Sequence, residues 1–221
     1  RAYDQIVHDV CIQNLHVVFA IDRAGLVGSD GETHQGIFDL SFLSSIPNLC
    51  IMAPKNKQEL YSMLKFALRY DGPIAIRYPR GEAYEGLEGF REKIVYGKAE
   101  VLYREHEVAL LAVGSMVKIA EEVREILKEK GLSCSLINAR FVKEFDKELI
   151  RELSADHKLL VTMEENVVTG GFGEHVVDYV STNHIALEVE KVALPDMYVE
   201  HGNVNILYRD AKIDAESVAE R

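Results

Sequence analysis

HVVFAIDRAGLVGSDGETHQG, residues 16–36, decides the fold class. Its first six residues, His16 to Ile21, form a short, almost continuous apolar run. Such a run suits a strand buried on both faces, as in a parallel sheet. The rest, Asp22 to Gly36, is polar and carries Gly25, Gly28, Gly31 and Gly36. A long loop without regular structure is uncommon in a compact domain unless it has work to do. This one follows the C-terminal end of a strand, where open α/β sheets place their ligands.

Working outward, the pattern repeats. Tyr3, Ile6, Val7, Val10 and Cys11 share one helical face. Leu49–Pro54 and Pro73–Pro79 are further strands, and Asn56 with Glu59 makes a capping pair for a helix from Lys57 to about Tyr70. Gly81–Lys93, with three glycines and several glutamates, breaks the pattern as a linker. Strands then recur at His106–Gly114, Leu132–Ala139, His157–Glu165 and Ala186–Leu194. Between them lie a helix capped by Ser115 and running to Lys130, a short one capped by Asp146, and one opened by Gly170–Gly173. The expectation is an α/β protein of two mostly parallel-sheet α/β sandwich units, the first incomplete: residues 1–80, a linker 81–93, and 94–221.

The 221 residues carry 25 Lys+Arg against 36 Asp+Glu, a net charge of −11, which argues against a nucleic-acid or anionic-membrane partner. No apolar run approaches the roughly 20 residues that cross a bilayer. Cys11, Cys50 and Cys134 are odd in number and show no CxxC spacing, which fits buried thiols in a reducing, cytoplasmic setting. The chain begins with Arg1 inside a helical pattern with no N-cap, so a piece of a longer protein is expected.

The loop offers Arg23, Asp30, Glu32, Thr33 and His34. The alternation of Asp30, Glu32 and His34 fails the EF-hand pattern and lacks a further zinc ligand, so no metal is assigned. His34 suits proton transfer, because imidazoles titrate near neutrality, and Asp30 could orient it or accept substrate hydroxyls. Arg77 and Arg80 end a strand, where a guanidinium fork matches phosphate or carboxylate. Arg80, beyond the strand, is the better anion ligand. Glu164 and Glu165 precede Gly171 and Gly173, a weak GxGxxG start whose third position is Val176. Close helix–strand packing is the better account of those glycines.

RAYDQIVHDV (1–10), FAIDRAGLVGSDGETHQGIFDLSFL (19–43), AIRYPRG (75–81), INARFVKEFD (137–146) and TMEENVVTGGFG (162–173) together resemble the transketolase-like thiamine diphosphate enzymes. The likeness is to the branch that condenses pyruvate with glyceraldehyde 3-phosphate, and it runs through essentially the whole chain. Pyruvate dehydrogenase β chains and transketolases share the architecture but differ in the loop. The resemblance implies the later part of the pyrimidine-binding domain, a linker and a C-terminal domain. It implies thiamine diphosphate and Mg²⁺ as cofactors of the intact enzyme, with the diphosphate and metal site elsewhere. It implies Arg23 and Arg80 as a phosphate clamp, His34 and Asp30 as groups that bind and protonate acceptor oxygens, and Arg1 near the cofactor's pyrimidine. A homodimer, a role in isoprenoid precursor synthesis and inactivity of this chain alone are implied too. The alternatives are one subunit of a two-chain thiamine enzyme, or a non-catalytic dimerisation fragment.

Overall fold

A computed structural model describes residues 2–221. Arg1, expected near the cofactor, lies outside the described residues. The first unit has a three-stranded parallel sheet of β1 (Val18–Ile21), β2 (Cys50–Met52) and β3 (Ile74–Arg77), in the order β1-β3-β2. Central β3 is buried along its whole length. The second unit has five strands, β4 (Glu100–Tyr103), β5 (Glu107–Ala112), β6 (Ser135–Asn138), β7 (His157–Val167) and β8 (Glu188–Leu194), ordered β4-β6-β5-β7-β8. All pairings there are parallel except β4 with β6. Residues 81–93 form no helix or strand.

Helices cover the sheets: α1 (Ala2–Gln5), α2 (Asp39–Ser44), α3 (Lys57–Ala67), α4 (Met116–Glu129), α5 (Lys147–Leu153), α6 (Phe172–Thr182), α7 (Val204–Asp210) and α8 (Ala215–Ala219). Asn56 caps α3 by accepting the Glu59 amide at 2.9 Å, and Asp146 caps α5 by accepting the Leu149 amide at 3.1 Å. The first helix departs from expectation: after α1 it widens into π-helical turns over Ile6–Cys11. Ser115 precedes α4 but makes no side-chain cap; its hydroxyl is drawn elsewhere.

The two units share a core. One apolar cluster joins Leu40, Leu43, Ile51 and Ala75 of the first to Leu111, Ile137, Phe172 and Val176 of the second. All three cysteines are buried and unpaired. Among the described residues, no helix is long and apolar enough to cross a membrane.

Candidate active site

β1 and β3 are neighbours in parallel, with Ile21 opposite Arg77, so both chains leave the sheet at one edge. The Tyr78 amide donates to Ile21 O at 3.0 Å, and the Ala24 amide donates to Tyr78 O at 3.1 Å, carrying the pairing into the loop. The loop then closes on itself: Gly25 N donates to Gly36 O at 2.8 Å and Gly36 N to Gly25 O at 2.9 Å. The 22–36 segment is therefore an ordered crest on the sheet edge.

Three predicted residues meet there. Arg23 sits at φ 58°, in the left-handed region, and its Nε donates to Asp30 Oδ2 at 3.2 Å. Arg80 Nη1 donates to Asp30 Oδ1, and to Ser29 Oγ at 3.5 Å. The Arg80 hydrogen bond, helped by Arg23, outweighs partial desolvation and holds the Asp30 carboxyl below the usual carboxylate range. The side chains of Arg23 and Arg80 are 39% and 48% exposed, so guanidinium N–H groups face solvent. Asp30 thus gathers two cations at an exposed edge, an arrangement suited to a ligand with an anionic group and hydroxyls.

His34 is not in that cluster. It is exposed, and its Nδ1 shares a 2.8 Å hydrogen bond with Thr33 Oγ1. The partners of the Asp30 carboxylate are arginines and Ser29, not this imidazole. Arg77 is buried and holds the loop from below, donating to Gly36 O, to Glu165 O at 2.9 Å and to Asp39 Oδ2 at 3.3 Å.

The adjacent glutamates of β7 have separate tasks. Glu164 accepts the Phe172 and Gly173 amides at 2.8 Å each and so caps α6. Burial pushes its carboxyl up to about 7 despite these bonds. A Cβ at Gly173 would stand 2.6 Å from Thr162 Oγ1, so this glycine serves close helix–strand packing. Glu165 faces the other way and accepts the Leu26 amide at 2.6 Å and the Ser115 hydroxyl at 2.7 Å. The second unit also touches the loop through Val199–Gly202. Gln35 Nε2 donates to Val199 O at 2.6 Å, and the Gly202 amide donates to Gly28 O at 2.9 Å. This seam has no signature in the sequence, because backbone carbonyls leave no side-chain pattern. Among the described residues, no group of three or more His, Cys, Asp or Glu is placed to hold a metal ion.

The pattern of the family "Transketolase, pyrimidine binding domain" matches residues 1–85, and that of "Transketolase, C-terminal domain" matches residues 97–218. Proteins named 1-deoxy-D-xylulose-5-phosphate synthase are similar over the chain. That of Lachnoclostridium phytofermentans is 51% identical over 100% of this chain and 36% of its own length. That of Clostridium tetani is 48% identical over 99% of this chain and 35% of its own. The chain spans little more than a third of these relatives. Among solved structures, "Split gene transketolase, inactive beta4 tetramer" superposes with TM-score 0.90 at 27% identity, over 100% of this chain and 70% of that one. The transketolase of Campylobacter jejuni superposes with TM-score 0.72 at 20% identity, over 92% and 30%, a likeness of fold. The chain belongs to the transketolase family, of thiamine diphosphate enzymes, and carries its pyrimidine-binding and C-terminal domain patterns in that order.

Proposed function

We propose that this chain forms the acceptor side of a 1-deoxy-D-xylulose-5-phosphate synthase, which joins pyruvate to glyceraldehyde 3-phosphate with loss of CO₂. The observation that carries the reading is the convergence of Arg23 and Arg80 on Asp30 at the sheet edge. Between them the two guanidiniums offer several N–H donors beyond those given to Asp30 and Asp22, enough for a phosphate dianion. Asp30, held ionised, accepts hydrogen bonds from an acceptor hydroxyl. His34, on the same crest and exposed, delivers the proton that the aldehyde oxygen gains as the new C–C bond forms.

Thiamine diphosphate, when bound, supplies the nucleophilic two-carbon unit drawn from pyruvate. Mg²⁺ and the diphosphate are assigned outside this chain by resemblance. Arg1 is assigned to the pyrimidine side by resemblance. The working domain limits are 1–80, 81–93 and 94–221, in a cytoplasmic homodimer.

The test is Arg80→Ala in the active enzyme that contains this sequence. Loss of a charge-assisted hydrogen bond of about 1.5–3 kcal/mol predicts roughly a 10- to 100-fold rise in KM for glyceraldehyde 3-phosphate, with little change for pyruvate. Equal effects on both substrates would remove the phosphate clamp. The split-gene likeness favours a second reading, one subunit of a two-chain enzyme. Assayed alone with pyruvate, glyceraldehyde 3-phosphate, thiamine diphosphate and Mg²⁺, the purified chain is expected to be inactive. Turnover restored by a separately expressed partner chain would favour the two-chain reading.

A further inference from the structure

Glu165 stands out because nothing in the proposed chemistry uses it, yet it is a carboxylate only 2% exposed beneath the candidate site. Burying an ion is costly unless its hydrogen-bonding capacity is filled, so a buried carboxylate needs specific partners. Glu165 has them, and they come from two places in the fold. Oε1 takes the Leu26 amide of the crest at 2.6 Å. Oε2 takes the Ser115 hydroxyl, at the start of α4, at 2.7 Å. The Glu165 backbone carbonyl also takes Arg77 Nη2 at 2.9 Å, and the same nitrogen donates to Gly36 O at the far end of the loop.

The loop is built around this group. Gly25 lies at φ 76°, and a Cβ there would stand 2.0 Å from the Glu165 carboxyl carbon. The carboxylate occupies the space that a side chain at position 25 would need. Two residues before Gly25 is Arg23; four after Leu26 is Asp30. Fixing the Leu26 amide therefore fixes the middle of the segment that presents both.

We infer that Glu165 is a positioning residue: from the second unit it holds the Leu26 amide and so sets the loop that carries Arg23 and Asp30 opposite Arg80. The assignment rests on the reading of that loop as the acceptor site. The geometry separates two properties, reach and the carboxyl group itself. Glu165→Asp keeps the carboxyl but shortens the side chain by one methylene, enough to withdraw the acceptor from the amide. Glu165→Gln keeps the reach, since its carbonyl oxygen can accept the Leu26 amide while its amide donates to the Ser115 hydroxyl, which can turn to accept.

Hydrogen–deuterium exchange on the whole chain, resolved to peptides over 22–36, tests this without any substrate. Glu165→Asp should speed exchange over 24–31 by about 10-fold or more, while peptides from β5 and β7 hold their wild-type rates; this corresponds to loss of about 1.4 kcal/mol locally. Glu165→Gln should restore near wild-type exchange in the loop. Unchanged loop exchange in Glu165→Asp would overturn the inference. So would a rise shared equally by β5 and β7, or a Gln variant as fast as the Asp variant. Inorganic phosphate added to the wild-type chain then tests the acceptor reading separately. Absence of phosphate protection over 22–36, with the exchange pattern as predicted, would defeat the acceptor reading and leave the loop-holding role standing.

Discussion

Gly25 and Glu165 explain each other at the level of single residues. The left-handed backbone of Gly25 is open to glycine at little cost, and the missing side chain makes room for the carboxylate. Gly25→Ala meets both obstacles at once. It should destabilise the chain by about 1–3 kcal/mol and loosen the 22–36 loop, measured by urea denaturation and by exchange over that segment. A wild-type midpoint would show that the loop can move aside freely. Glu164, one residue earlier, makes a prediction about pH. Its folded-state pKa of about 7 lies above the ordinary carboxyl value of 4.5. Between those values the folded chain holds a proton that the unfolded chain has lost, so stability falls as pH rises through that window and levels off above it. The shift corresponds to roughly 3 kcal/mol. Glu164→Gln should flatten this part of the stability–pH curve, read from denaturant midpoints between pH 4.5 and 8. An unchanged slope would assign the pH dependence to other groups.

Between elements, the chief polar device is a buried charge cluster. Glu59 on α3 accepts the Lys55 amide at 2.7 Å, Asn138 Nδ2 of β6 at 2.9 Å and Arg140 Nε at 2.7 Å. Glu100 on β4 takes Lys55 Nζ at 2.6 Å and Arg140 Nη2 at 2.9 Å. Burial alone would raise Glu100, but the Lys55 hydrogen bond and the Arg140 charge outweigh it and hold the carboxyl below its ordinary value. Two cations and two anions thus lock α3 to β4 and β6 with little net charge. Glu59→Ala would leave Lys55 and Arg140 underpaired in the interior, and a loss of about 3–5 kcal/mol is expected in urea denaturation. A loss under about 1 kcal/mol would mean that water enters and takes over the missing bonds. The helix α3 and its Asn56 cap were visible in the sequence, because capping and amphipathic spacing are local signals. β4 was not: Glu-Val-Leu-Tyr is short, and its partner β6 lies more than thirty residues away. Ser115 shows how a local rule is overridden, since its hydroxyl serves Glu165 instead of the α4 terminus. Likewise Arg23, Arg80 and Asp30 were legible as types at a strand edge, whereas the Val199–Gly202 seam was hidden in backbone bonds.

Across the whole molecule, the sequence pattern suggested two α/β units in series, and the two sheets agree with it. The pattern could not show that the units are joined internally. Periodicity marks which face of an element is apolar, not which neighbour covers it. In the structure the apolar faces of α2, β2 and β3 lie in one cluster with those of β5, β6 and α6. The Ala53 amide donates to Arg140 O at 3.0 Å and the Val142 amide to Ile51 O at 3.0 Å, tying the end of β2 to the segment that follows β6. Separating the units would expose Leu40, Leu43 and Ile51, each at most 1% exposed, at about 25 cal/mol per Å² of apolar surface. The three-stranded sheet is also too small to bury both its faces without that cover. Neither unit then has a stability of its own to lose separately. Calorimetry of the chain should show one transition whose calorimetric and van't Hoff enthalpies agree, and near-surface probes in residues 22–36 and 94–221 should report the same midpoint. Two resolved transitions, or an early loss of the first unit, would mean that the shared cluster is a contact between independently stable bodies.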